Sequence, residues 1–190
     1  MGARTLGRMT TIWILLLAIV MLRPQAGLAA DLTAFGGIQH AGNLTLQSAQ
    51  NGTTTLVQNF DPKTFGVFGV RLSHGKVVGG EYTAAYAPNF ISSSSHAWIF
   101  HSNARVQIPV EFVKPYATAG VGFLNSSGTA NALGTEFLFN YGGGANFMVG
   151  PLGFNFDVRG YTVPSAHVSG FTIQNRLNFI QTSVGAVLHF

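Results

Sequence analysis

Short segments in which apolar and polar residues alternate recur along the chain from about residue 32 to its end. In "EFLFNYGGGANFMV" (136–149), Phe137, Phe139 and Phe147 share one face of an extended strand, because successive strand side chains point to opposite sides. After residue 30 no helical period persists over a useful length, and no apolar run is long enough for a membrane helix. The pattern predicts eight strands, at about 32–41, 63–73, 77–87, 96–108, 112–124, 135–148, 153–163 and 176–190.

The connections between these segments alternate in length. Three are short: His74–Lys76, Pro109–Glu111 and Val149–Leu152. The other four are longer, at 42–62, 88–95, 125–134 and 164–175. Short turns at one end and long loops at the other are typical of outer-membrane barrels, whose strands cross the bilayer in about ten residues. The sequence therefore predicts an all-β, eight-stranded antiparallel up-and-down transmembrane β-barrel.

Charged residues make up only 8% of the chain, whereas an average soluble protein has about 25%. So little charge cannot coat a water-exposed exterior, so we expect the aromatic faces to meet lipid and the charges to lie in the lumen. Beyond residue 30 the net charge is +1 (7 Lys and Arg against 6 Asp and Glu), without clusters, which excludes a nucleic-acid surface. The predicted lumen residues are Arg71, Glu81, Arg105, Glu136, Asp157 and Arg159.

The short turn "VGPL" predicts the register of the two strands that flank it. Paired residue numbers then sum to about 301 (149 + 152), which places Asp157 opposite Gly144 and Arg159 opposite Gly142. The glycines would leave room for the charged groups in a narrow bore. Arg71 and Glu81 are expected opposite or diagonal to each other across the "HGK" hairpin. The lumen charges predict a salt-bridged plug, and an ion or ligand path is the alternative.

Residues 1–30 have the organisation of a cleaved signal peptide, which leaves 31–190 as the barrel domain. Arg4 and Arg8 precede the 11-residue apolar run "IWILLLAIVML", which is shorter than a membrane-spanning helix. Small residues then allow cleavage after Ala29 or after Ala30. An uncleaved N-terminal anchor is the alternative.

Three segments in the second half carry a family resemblance. "VKPYATAGVGF" (113–123), "FNYGGGANF" (139–147) and "GFNFDVRGY" (153–161) resemble consecutive strands of the OmpA/OmpX-like outer-membrane β-barrel domain family. The resemblance implies an outer-membrane location, contact with lipid and lipopolysaccharide, and a C-terminal signal read by the barrel-assembly machinery through strand addition. That signal would comprise Ser183, Gly185, Leu188 and Phe190, although an ordinary amphipathic strand could also end in phenylalanine.

Catalysis is the first functional alternative, because some eight-stranded barrels deacylate or acylate lipid A with a histidine and a serine on one outward face. His167 and Ser169 have the spacing that places two side chains on one strand face. His101 and Ser102 are adjacent and would point to opposite faces. No acidic residue lies near either pair to orient the base, so we expect no catalysis.

The remaining signals predict neither cofactors nor metals, because the six histidines lack metal-ligand spacing. The first long connection is polar and nearly uncharged, which is typical of a solvated loop and also suits surface adhesion. We therefore expect a monomeric structural or surface barrel whose loops meet external partners. A soluble periplasmic barrel of lipocalin type, with an apolar ligand inside, is the second alternative.

Overall fold

The computed structural model describes residues 30–42, 44–50, 53–60, 63–90, 93–128, 134–164, 167–168, 171–172 and 177–190. The proposed signal peptide therefore lies outside the described residues, except for Ala30. Within the described part of the chain, no helix is long and apolar enough to cross a membrane.

Eight antiparallel strands close into a barrel, as the alternation predicts. The strands are β1 Ala30–Ala41, β4 Thr64–His74, β5 Val78–Pro88, β6 Ser95–Gln107, β7 Val113–Gly128, β8 Gly134–Val149, β9 Leu152–Val163 and β12 Leu177–His189. Around the barrel, each strand pairs with its neighbours in the order β1, β12, β9, β8, β7, β6, β5, β4, and β4 pairs with β1 to close the ring.

The barrel closes where its first and last strands meet. Asp31 pairs with His189 and Ile38 with Thr182. At the end of the seam, the Ala30 amide donates to the Phe190 carbonyl at 2.9 Å, and the Phe190 amide donates to the Ala30 carbonyl at 3.0 Å. Closure leaves no unpaired strand edge in the barrel wall, which a wall in lipid requires.

The longest connections contain a second sheet, where the sequence analysis predicted only loops. Its strands, in the order β10-β11-β2-β3, are β2 Leu44–Gln50, β3 Thr53–Phe60, β10 His167–Val168 and β11 Phe171–Thr172. The prediction of a plain loop at 42–62 was therefore wrong. Outside the bilayer a long connection can still satisfy its backbone by folding into a hairpin, and the Thr-rich segment here favours extended structure.

The predicted loop at 125–134 was also too long, because β7 and β8 continue as a paired hairpin to Ser126 and Gly134. Both strands have 16 residues, more than the roughly ten that cross hydrocarbon. The extra residues extend the hairpin on the side of the long connections.

Aromatic and aliphatic side chains cover the outer surface of the barrel. Phe68, Trp98, Phe139 and Phe154, for example, are about half exposed or more. Neighbouring rings contact one another, as in Tyr86–Trp98, whose centroids are 4.9 Å apart. Such a surface would be costly in water and is suited to acyl chains.

Candidate functional site

Charged and polar side chains converge in the barrel interior, because residues that alternate with the outward aromatics must point inward. Arg71, Glu81, Asp157 and Arg159 are each at most 1% exposed, and Arg105 is 3% exposed. They come from β4, β5, β6 and β9, which are distant along the chain and brought together only by barrel closure.

Arg159 holds the two central carboxylates. Its Nη1 donates to Glu81 Oε1 at 2.6 Å. Its Nε and Nη2 donate to Asp157 Oδ1 and Oδ2 at 2.7 and 3.1 Å, which is a bidentate pair. Charge-assisted bonds of this geometry are among the strongest in proteins. Arg159 therefore ties β9 to β5 across the lumen.

Arg71 supplies a second cation to the same carboxylates. Its Nη2 donates to Asp157 Oδ1 at 3.2 Å, and its Nε lies 3.8 Å from Glu81 Oε1. Arg71 pairs with Thr83 and Glu81 with Ser73 across the hairpin, so the two charges are diagonal, one of the two predicted arrangements. Arg71 Nη1 also donates to Asn155 Oδ1 at 3.1 Å.

The predicted register of β8 and β9 is confirmed. Gly144 pairs with Asp157 and Gly142 with Arg159. A Cβ added at Gly142 would meet Arg159 Cγ at 2.9 Å, and one added at Gly144 would meet the Tyr116 hydroxyl at 2.8 Å. The glycines thus make the space that the large polar side chains occupy.

The last two predicted lumen residues, Arg105 and Glu136, lie on opposite sides of this centre. Arg105 is on the side of the short turns, and Glu136 is on the side of the long connections. Arg105 reaches Ser73 Oγ at 2.8 Å and Glu81 Oε2 at 3.5 Å, both from Nη1, and its guanidinium lies 3.9 Å from the centroid of the Tyr116 ring. Glu136 is also buried on the inward face, near the loop end of β8 and apart from the central ion pairs.

Sequence reasoning missed the neutral members of the interior. Tyr116 donates its hydroxyl proton to Asp157 Oδ2 at 2.6 Å. Asn103 donates to Asn140 Oδ1 at 2.8 Å and to Glu81 Oε1 at 3.3 Å. The inward phase of each strand is the signal that could have found them, since Tyr116 and Thr118 alternate with outward Ala117 and Ala119.

An apolar layer fills the interior on the loop side of the ion pairs. The sequence analysis expected apolar side chains to point outward to lipid, and for this layer that expectation was wrong. Phe90, from the β5–β6 connection, is 1% exposed and lies between Phe65 and Phe179, at centroid distances of 5.1 and 6.1 Å. Ile99, Leu124, Leu138, Val163 and Leu177 surround them. This end of the barrel is wide enough to have its own core, which the two-residue alternation cannot distinguish from a lipid-facing stripe.

Of the two candidate catalytic pairs, His101 and Ser102 lie wholly within the described residues and His167 and Ser169 do not. His101 is buried and Ser102 is exposed on the opposite face, as their adjacency predicts. His167 lies in β10, and Ser169 is outside the described residues. Among the described residues, no three His, Cys, Asp or Glu side chains are grouped as metal ligands.

The predicted C-terminal signal residues alternate across β12. Ser183 is buried in the lumen, whereas Leu188 and Phe190 are exposed on the outer face at 44% and 62%. Gly185 pairs with Phe35 of β1. The segment that would be recognised during assembly thus forms one side of the barrel seam in the folded protein.

Comparison with known proteins gives one family and several similar folds. The sequence matches the family described as the outer membrane protein beta-barrel domain over residues 12–190. No curated protein matches it. Neisserial surface protein A is 11% identical with a TM-score of 0.61, and the match covers 87% of this chain and 98% of that one.

Two barrels of Pseudomonas aeruginosa are also similar in fold. The N-terminal β-barrel domain of OprF is 12% identical with a TM-score of 0.55, covering 85% of this chain and 97% of that one. OprG is 12% identical with a TM-score of 0.52, covering 85% and 96%. At these identities the likeness concerns the fold alone.

Proposed function

We propose a function from the premise that this chain belongs to the outer membrane protein beta-barrel domain family: it is a non-catalytic surface barrel whose loops meet external partners. It is an integral protein of the outer membrane. The family and the apolar outer wall disfavour the alternative of a soluble, lipocalin-type barrel.

The observation that carries the proposal is the mutual pairing of the interior charges. Glu81 and Asp157 are both held by Arg71 and Arg159, and Tyr116 and Asn103 occupy further lone pairs of these carboxylates. A catalytic acid or base must exchange its proton with a substrate. Carboxylates held this tightly and buried in the bore are suited to stabilising a closed barrel.

The surroundings of the barrel follow from its two kinds of surface. The aromatic and aliphatic side chains of the outer wall contact outer-membrane lipid and lipopolysaccharide, and the barrel works as a monomer. Ser183, Gly185, Leu188 and Phe190 engage the barrel-assembly machinery before the seam closes. The backbone of β12 is then available for strand addition, with Leu188 and Phe190 as side-chain anchors.

The experiment that tests the proposal measures lipid A. A strain lacking the protein is complemented with the native chain or with the His167→Ala/Ser169→Ala variant, and the acyl chains of lipid A are compared by mass spectrometry. The same acyl pattern in all strains is expected. A pattern that the native chain changes and the double variant does not would establish the lipid A-modifying enzyme instead.

Binding by the loops is tested on intact cells. Exchanging the connections 42–63 and 164–176 for short turns should abolish attachment to host surfaces or saccharide arrays while the barrel remains in the outer membrane. Native attachment after both exchanges would contradict the surface role.

A further inference from the structure

A small cavity opens at the short-turn end of the barrel, below the central ion pairs. Its volume is about 110 Å³, several times the 10–15 Å³ that one water molecule requires. Arg105, Lys76 and Lys114 contribute to its lining from β6, from the β4–β5 turn and from β7. Three basic side chains from separate elements therefore surround one space.

Arg105 is the least satisfied cation of the interior. Only Nη1 has hydrogen-bond partners, namely Ser73 Oγ and Glu81 Oε2. Nε and Nη2 are buried without a hydrogen-bond partner, and the residue as a whole is only 3% exposed. A buried guanidinium with unmatched donors is costly, and a further acceptor would offset that cost.

The charge balance of the central cluster points the same way. Arg71, Arg105 and Arg159 face two carboxylates there, Glu81 and Asp157, so the cluster has one positive charge in excess, and the buried carboxylates of Asp31 and Glu136 lie outside it. The excess lies on the side of Arg105, because Arg159 makes the closest contact to each carboxylate, at 2.6 Å to Glu81 and 2.7 Å to Asp157, whereas the one contact of Arg105 to either is at 3.5 Å.

The one carboxylate that lines the cavity is already engaged. Asp31 Oδ1 lies 2.5 Å from His189 Nδ1, and Asp31 Oδ2 accepts from Asn146 Nδ2 at 3.2 Å. The turn that carries Lys76 is fixed by Gln107, whose Nε2 donates to the carbonyls of Gly75 and Lys76 at 3.1 and 3.0 Å. The backbone of the turn that carries Lys76 is therefore held beside the cavity by bonds within the protein.

We propose that this cavity binds a small phosphate-type oxyanion from the periplasmic side, held by Arg105, Lys76 and Lys114. A tetrahedral oxyanion can accept bonds from several cationic donors at once, which matches donors that arrive from three directions. The phosphate belongs either to a free inorganic ion or to the headgroup of a phospholipid in the inner leaflet.

The test uses the full-length exported protein in non-ionic, phosphate-free detergent micelles. Inorganic phosphate is titrated calorimetrically at fixed ionic strength, so that general screening stays constant. Saturable binding at one site is expected, weakened about tenfold in the Lys76→Gln/Lys114→Gln variant and lost in Arg105→Gln. The matched control is Lys63→Gln, which removes an exposed lysine at the loop end and should bind like the native chain.

Two results would overturn the proposal: absence of saturable binding to the native barrel, or equal affinity in the lysine pair variant and in Lys63→Gln. Circular dichroism reports whether Arg105→Gln folds, and the lysine pair decides the matter if it does not. Added phosphatidylglycerol identifies the source. Displacement of phosphate supports a lipid headgroup at this site, and unchanged phosphate binding supports the free ion there.

Discussion

Gly142 and Gly144 leave no room for a side chain in the bore. A methyl group at Gly144 would meet the Phe156 carbonyl and the Tyr116 hydroxyl, whereas Gly66, in the outer wall, has no atom within 4 Å of such a group. We expect Gly144→Ala to lower the free energy of unfolding by about 1–3 kcal/mol and Gly66→Ala to leave it nearly unchanged. Urea unfolding in lipid vesicles measures both free energies. Equal effects would show that the space in the bore does not limit the size of the residue at position 144.

The contributions of Glu81 and Arg159 to stability should be strongly coupled. Replacing either residue leaves the charge of the other buried without this partner. Arg159→Gln alone is expected to cost about 3–5 kcal/mol of unfolding free energy. Adding Glu81→Gln should cost less than the sum of the two single changes, since the unmatched charge is removed. A double-mutant cycle in urea measures this, and strict additivity would contradict the ion pair's role.

At the residue scale, the sequence predicted which charged side chains point into the lumen, but it did not predict this for the neutral ones. Lumen placement of Arg71, Asp157 and Arg159 follows from the cost of charge in lipid and from one short turn. Tyr116 and Phe179 could not be assigned in the same way. An aromatic residue is tolerated on either face of a barrel, and only closure of the strands decides what it meets.

At the scale of elements, the eight membrane strands were predictable, and the second sheet was not. A strand in lipid must alternate apolar and polar side chains and must pair its backbone with both neighbouring strands. Its sequence is therefore constrained along its full length. Outside the bilayer water can satisfy the backbone, and a polar segment such as 44–60 carries no comparable signal. For the same reason the predicted bounds of β7 and β8 stopped near the membrane surface.

The last strand should matter more for assembly than for the finished fold. Phe190 is 62% exposed, so deleting it removes little from the core, although two backbone bonds to Ala30 are lost. We expect the deletion to reduce the amount of inserted barrel severalfold. Phe154→Ala, which removes a still more exposed outward ring from β9, is the matched control and should insert normally. Equal insertion of the two variants, by quantitative blotting of outer membranes, would contradict the proposed assembly signal.

The first strand bears on where the proposed signal peptide is cut. Ala30 belongs to β1, pairs with His74 and exchanges two backbone bonds with Phe190. Cleavage after Ala29 keeps these bonds, and its preceding small residues, Gly27 and Ala29, suit the peptidase better than Leu28 and Ala30. We expect the intact mass of the exported protein to correspond to a start at Ala30. A start at Asp31 would show that the seam does not require this residue.

At the scale of the whole molecule, the interior of the barrel consists of layers that differ in polarity. Ion pairs occupy the middle of the bore, an apolar layer around Phe90 closes the loop side, and the cationic cavity lies at the short-turn side. Between the two rims, the outer wall meets lipid. This division accounts for the low charge content, since only the rims and loops face bulk water.

The layered arrangement predicts the orientation of the barrel in the membrane, with the long connections outside the cell and the short turns in the periplasm. The chain contains no cysteine, so a single introduced thiol reports one position. Ser93 in the β5–β6 connection and Lys76 in the β4–β5 turn are both exposed and lie at opposite ends of the barrel. We expect a membrane-impermeant maleimide to label Ser93→Cys on intact cells and Lys76→Cys only after the outer membrane is permeabilised. The reverse pattern would invert the barrel and would place the proposed oxyanion site at the cell surface.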